Sequence, residues 1–480
     1  MAPLSWSPKS LVFNLRKLIR QLGYSITHRF AGKQVASGAI TTVWIKPFCQ
    51  LAVANTTSHL MVPLAGLIDT AFLGHLDDVR HLNGVALANI IFNVIYWSFN
   101  FFRMGTTGPT AQAVGNATRT GDDTEVWLIV LRNSLLALSA GLFIWFLKAP
   151  ISALGFALLS TGPGVKEAAV DFYNGRIMGA PAVLVNYVLL GWLLGRSQGR
   201  QVVILAVIGN FSNVVLDYGF IVQLGWDSYG AGLATAMSQY IMLLVALGLI
   251  MTGGIPVQLW PRIRARLWQL SALKALFGLN RDILIRTFAL VMSMSLFTSL
   301  SATLGDTVLG VNTLLIQVVL MSAYFMDGIA LAVESYAGNF YGKRAVVDLY
   351  WLLVFGMAGS VVLGCAIALA LIILPGPFFS LLTIHTSLLE RVPHYVGWLL
   401  PVLSLGGIAF TLDGYFLGLT AGKTLRNATL FAAFLGFLPL ALLAKSLQSP
   451  HLLWLALTGL MATRAITLLV QVPHTLKPQS

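Results

Sequence analysis

From Leu349 to Leu374 the chain runs without one charged residue, and apolar stretches of similar length recur along almost all of it. That recurrence limits the fold more than any motif does. About 20 apolar residues in a helix cross a bilayer core of about 30 Å. With 57% hydrophobic and 10% charged residues and a mean hydropathy of +0.80, one soluble core could not hide this surface. In lipid every backbone polar group needs an internal partner, which leaves helices and closed barrels. The stretches lack the short alternation of barrel strands, so the sequence predicts an all-α integral membrane protein. Counting apolar runs between polar breaks gives twelve transmembrane helices, near 47–75, 84–114, 124–147, 166–196, 201–224, 229–252, 283–305, 308–337, 345–374, 389–419, 425–446 and 451–471.

The net charge of +13 is distributed as topology and argues against nucleic acid as a partner. Basic residues gather in alternate loops, which is how orientation is written in membrane proteins. The sets are Lys9 to Lys46, Arg196 with Arg200, Arg262 to Arg286, Lys343 with Arg344, Lys423 with Arg426, and Arg464 with Lys477. Both termini are therefore expected in the cytoplasm. Residues 1–45 read as a basic cytoplasmic tail whose "SLVFNLRKLIRQLGY" stretch can lie on anionic lipid; an organellar transit peptide is the alternative. Residues 46–253 form an N-lobe, 254–282 a cytoplasmic linker, 283–472 a C-lobe and 473–480 a tail. Cys49 and Cys365 lie in apolar segments without ligand spacing and read as packing residues.

The two halves repeat. Shifting the chain by 223 residues aligns "MGTTGPTAQAVGN" at 104–116 with "DGIALAVESYAGN" at 327–339, and "GWLLGRSQGR" at 191–200 with "GYFLGLTAGK" at 414–423. Six spans per half give both halves the same orientation, related by a pseudo-two-fold axis along the membrane normal. This is the parallel-repeat plan of secondary transporters.

Acids inside such helices are costly, about 2.5–3.5 kcal/mol on insertion scales, and tend to face a wet cavity or a partner. Asp69 shares a face with Asn55, Ser58, Val62 and Gly66, and Pro63 removes a helical hydrogen bond and offers a bend. In "GNFSNVVLDYGFI", Asn210, Asn213 and Asp217 share a face, so two amides are positioned to hydrogen-bond one carboxylate. Thr235 supplies a hydroxyl from the next helix. Asp327 and Glu334 share a face of the eighth helix, and Asp413 shares one with Thr420; a role in transport and a role as packing anchors stay open for these three. Arg103 and Arg176 read as counter-ions to the acids. The loop pairs Asp77–Asp78 and Asp122–Asp123 read as solvated charge rather than a metal motif, and no catalytic constellation of Ser, Cys, His and Asp appears, so neither a resident cofactor nor an enzyme is expected.

Together "VPLAGLIDTAFLGHL", "FFRMGTTGPTAQAVGN", "GAPAVLVNYVLLGWLLGRSQGR", "GNFSNVVLDYGFI", "LNRDILIRT", "YFMDGIALAVESYAGNFYGKR" and "LDGYFLGLTAGKTLRN" resemble the MATE (multidrug and toxic compound extrusion) family, and within it the DNA-damage-inducible protein F branch. The likeness covers roughly residues 45–472. It implies two six-helix lobes in the bacterial inner membrane, a monomer, exporting small amphipathic or cationic molecules in exchange for H⁺ or Na⁺. It also implies that Asp69, Asn213, Asp217 and Thr235 form a proton-coupling network in the N-lobe. The Na⁺-coupled relatives have acids on the seventh, eighth and tenth helices. Here Asp413 matches the tenth, but the seventh has only Asp282 and Asp306 at its ends, which favours H⁺. A lipid-linked substrate flippase of the same superfamily is the runner-up. A membrane prenyltransferase lacks its second acidic motif.

Overall fold

The structure, a computed structural model, describes residues 42–76, 78–157, 162–252, 254, 257–383 and 385–476. The amphipathic stretch of the tail, Asp77 and Lys477 lie outside the described residues. Twelve long helical segments account for nearly all the rest: α1 Ile45–Gly74, α2 Val79–Thr120, α3 Thr124–Phe146, α4 in two pieces (Pro163–Ile177 and Ala180–Gly195), α5 Gly199–Gln223 and α6 Asp227–Thr252 in the N-lobe, then α7 Leu270–Thr303, α8 Asp306–Gly342, α9 Val346–Ile373, α10 Thr386–Gly418, α11 Gly422–Ser446 and α12 Pro450–Thr475 in the C-lobe. Ten of them are long and apolar enough to cross a membrane as single helices, and α4 does so as a bent pair. Large apolar side chains such as Phe146, Val362 and Ile373 are more than two-thirds exposed. Such exposure is sustainable against lipid, where it would drive association in water.

Four helices differ from the sequence expectation. The fourth helix is not continuous over 166–196 but bends by 52° between its pieces. Pro181 has no N–H to return to the carbonyl one turn back, so the helix restarts rather than continues. The seventh begins at Leu270, well before 283, and a short helix, Trp260–Arg266, precedes it. Asp282 and Arg286 thus lie inside a long helix and not at its edge. Finally α5 and α11 each carry a six-residue π segment, Tyr218–Gln223 and Ala432–Phe437. No feature of the sequence marks these turns, which are often found at functional sites. The helix α1 runs through Pro63, whose side chain lies outside the described residues, so its proposed bend is not tested.

The repeat extends from sequence to packing. Gly191 and Gly195 of α4 lie so close to α2 that a Cβ would strike the carbonyls of Arg103 and Thr107, at 2.5 and 2.6 Å. At the shifted positions Gly414 and Gly418 of α10 meet the carbonyls of Ala330 and Glu334 on α8. The turns repeat as well. Ser197 and Thr420 both take φ 57°, and Gly121 and Arg344 take 74° and 60°, a region L-residues rarely enter.

The lobes meet at one end of the molecule. There Gly115 backs onto the carbonyl of Asn339, Gly338 lies against Ala111 and Gly342 against Gln112, without room for a Cβ on any of the three. The contacts of α1 with the C-lobe fall in its first half. Trp44 and Phe48 pack edge-on with Phe355, and Asn55 reaches the carbonyl of Gly328. Buried apolar side chains follow the same division. One cluster fills the N-lobe and continues across this contact into α8 and α9 and the adjoining parts of α7, α10, α11 and α12, while a second lies within the C-lobe around Phe297, Trp454 and Leu457.

Candidate transport site in the N-lobe cavity

A cavity of about 440 Å³ opens among α1, α2, α4, α5 and α6. The polar stripe of α1 faces it through Asn55, Ser58, Gly66 and Asp69, and α5 and α6 add Asn210, Asn213 and Thr235. Of the C-lobe, only Leu331 is in the lining. Asp217 lies just behind, fully buried, with its carboxylate within hydrogen-bonding reach of that of Asp69. Among the described residues, neither oxygen of Asp217, nor Oδ1 of Asp69, receives a hydrogen bond from any other group.

The expected solvation of Asp217 by two amides is not what the structure has. Asn210 Nδ2 donates to the carbonyl of Ala206 in its own helix at 2.6 Å, and Asn213 Nδ2 is buried with no partner. Thr235 likewise donates to Ala231 at 2.9 Å. Short polar side chains on a helix compete for the carbonyl four residues back, and here that local bond wins. Asn55 serves the lobe contact instead, donating to Gly328 at 3.4 Å.

Arg103 and Arg176 both line the cavity, and neither forms a direct ion pair among the described residues. Arg103 Nη1 lies 3.1 Å from His59 Nε2. Arg176 Nη1 donates to Asn89 Oδ1, and its guanidinium stands 4.7 Å over the ring of Phe92. Each keeps a buried Nε with no acceptor.

The C-lobe acids are treated differently. Asp413 takes a hydrogen-bonded ion pair from Arg286 Nη1 and another from Arg464 Nη2, with Arg464 Nε at 3.3 Å, and all three side chains are buried. The sequence reading counted Arg286 and Arg464 among loop charges that set orientation; both are core residues. Asp282, expected at a helix end, is buried and held by Arg426 at 2.8 Å. Glu334 is fully buried with both oxygens unpartnered, and Asp327, half-buried, makes no ion pair. Thr420 joins the lobe contact, accepting from Gln112 Nε2 at 3.3 Å while the same nitrogen donates to the carbonyl of Gly418 at 2.8 Å. In the loop before α3, Asp122 accepts from the amide and hydroxyl of Thr124, which hold its carboxyl below the usual range.

A model of the MatE family matches residues 56–219 and 283–442, one stretch in each lobe. The chain belongs to the MatE family. DNA damage-inducible protein F of Escherichia coli (strain K12) is 35% identical over 429 residues, covering 88% of this chain and 91% of that protein. Protein DETOXIFICATION 44, chloroplastic, of Arabidopsis thaliana is 26% identical over 75% of this chain and 69% of its own length. Among solved structures, a MOP superfamily transporter from Pyrococcus furiosus superposes with a TM-score of 0.76 at 19% identity, covering 90% of this chain and 94% of that one. As in other members of the MatE family, the twelve helices form two lobes.

Proposed function

We propose that this multi-pass MatE protein is an efflux transporter that exports small amphipathic molecules in exchange for protons, with Asp69 and Asp217 as the exchange site. The observation that carries this reading is the pairing of two carboxylates within hydrogen-bonding reach, with no ion pair to either among the described residues. Two such groups cannot both stay charged at that distance, so the pair is built to hold a proton between them. A second proton cancels its remaining charge, and a substrate held by that charge is released. One charge moving down 100 mV of membrane potential supplies about 2.3 kcal/mol, enough to drive accumulation uphill.

With the termini in the bacterial cytoplasm, the closed lobe contact lies on the cytoplasmic side and the cavity faces outward, ready to take up protons. A sodium site on Asp413 is disfavoured because two guanidiniums already occupy its oxygens. Proteoliposomes loaded with ethidium and given proton and sodium gradients separately test the reading. Efflux under the proton gradient alone, lost in Asp69→Asn, is the expected result; a response to sodium only would sink it.

A further inference from the structure

The N-lobe cavity holds unsatisfied groups of both signs. On the α1 side Asp69 presents a carboxylate, with Oδ1 buried and no donor. On α2 and α4 stand two guanidiniums, those of Arg103 and Arg176, whose Nε atoms are buried and have no acceptor. Opposite charges sharing a low-dielectric cavity attract strongly and normally close into an ion pair. Here they do not.

Neighbouring side chains hold them apart. Arg176 is tied to Asn89 and clamped over Phe92, with Phe172 at 5.6 Å on its guanidinium. Arg103 is fixed by His59, whose ring stands 6.3 Å from that of Tyr324. Both bases are thus pre-oriented, and the space between them and Asp69 is the cavity itself.

We infer that the cavity selects zwitterions: small amphiphiles carrying an ammonium for Asp69 and an acidic group for Arg176 and Arg103. A single cation leaves the guanidiniums unanswered, and a single anion leaves the carboxylate so. Only a molecule with both satisfies the lining. The inference rests on the proposed export through this cavity and refines it, since the ammonium is the part that a proton on Asp69 displaces.

The test uses three fluorescent ligands that share one aromatic body. N-dansyl-lysine carries an ammonium and a carboxylate, its methyl ester the ammonium alone, and N-dansyl-norleucine the carboxylate alone. Binding to the purified full chain is read from dansyl emission, without any ion gradient. The zwitterion is expected to bind at least about tenfold more tightly than either analogue, the scale of one charge-assisted contact. Arg176→Gln should remove its advantage over the methyl ester, and Asp69→Asn its advantage over dansyl-norleucine. The wild-type ranking alone can overturn the inference, whether or not a variant folds. An ester that binds as well as dansyl-lysine means a cation site, an equal norleucine compound means an anion site, and no binding of dansyl-lysine means neither. Each of these outcomes leaves proton exchange, measured separately in proteoliposomes, standing or falling by itself.

Discussion

The two lobes repeat one backbone, yet the acid pair of one and the central acid of the other are handled in opposite ways. In the N-lobe Asp69 and Asp217 lie side by side, and among the described residues no cation forms an ion pair with either. In the C-lobe a single carboxylate, Asp413, is gripped by Arg286 and Arg464. An arrangement of the first kind changes its charge when a proton arrives. One of the second kind resists titration, because protonating Asp413 strands two buried guanidiniums. On the proposed reading the same scaffold carries an acid pair that responds in one half and a carboxylate that is locked in the other.

The contrast can be broken most directly at the responsive half. Asp217→Asn is expected to abolish proton-driven efflux in proteoliposomes while leaving the chain folded, since an amide fits where a carboxyl already lacks donors. Retained exchange would move the proton site elsewhere. In the locked half the same Asp→Asn change should act on stability instead. Asp413→Asn leaves two buried cations and should cost about 3–5 kcal/mol, read as a lower unfolding temperature in detergent. Replacing Asp413, Arg286 and Arg464 together by Leu, Met and Met should recover most of that loss, as buried ion clusters often tolerate apolar substitutes. A triple variant as unstable as the single one would show that the cluster does more than neutralise itself.

Smaller effects are expected where the halves touch. A side chain at Gly115 has to displace the carbonyl of Asn339, and overpacking of this sort costs about 1–3 kcal/mol. Gly115→Val should therefore populate the form with the lobes parted, seen as weaker cross-linking between cysteines placed at 112 and 420, whose present side chains already touch. Gln112→Ala removes two hydrogen bonds that cross the same seam, each worth about 0.5–1.5 kcal/mol. It should shift the equilibrium the same way, by less.

Much of the site was legible because helical spacing is a strong signal. Asn55, Ser58, Gly66 and Asp69 fall on one face at multiples of the turn, and the cavity is where that face points. What escaped was depth and partnership. Arg286 and Arg464 sit near basic runs, and a positive charge in sequence does not say whether it is a loop marker or a core residue. The early start of α7 decides it for Arg286, and Arg464 lies midway along α12 on its buried face. The bond of Arg176 to Asn89 joins residues 87 apart and has no local signature. Nor has the π turn after Asp217, although it lies where the proton pair is built. The amides of Asn210 and Asn213 were on the right face but took other partners, since spacing fixes direction and leaves the choice of bond to the surroundings.

The paired turns say something about inheritance. Ser197 and Thr420 share a backbone angle that glycine would adopt at little cost, and neither is glycine. Gly121 and Arg344 share another with side chains that differ completely. Shape at these corners has outlasted the letters that specify it, as happens when one six-helix unit is copied end to end and the copies then specialise. An even number of spans made the fusion possible without turning either copy over, which left one half free to pair its acids while the other tied its central acid to two guanidiniums.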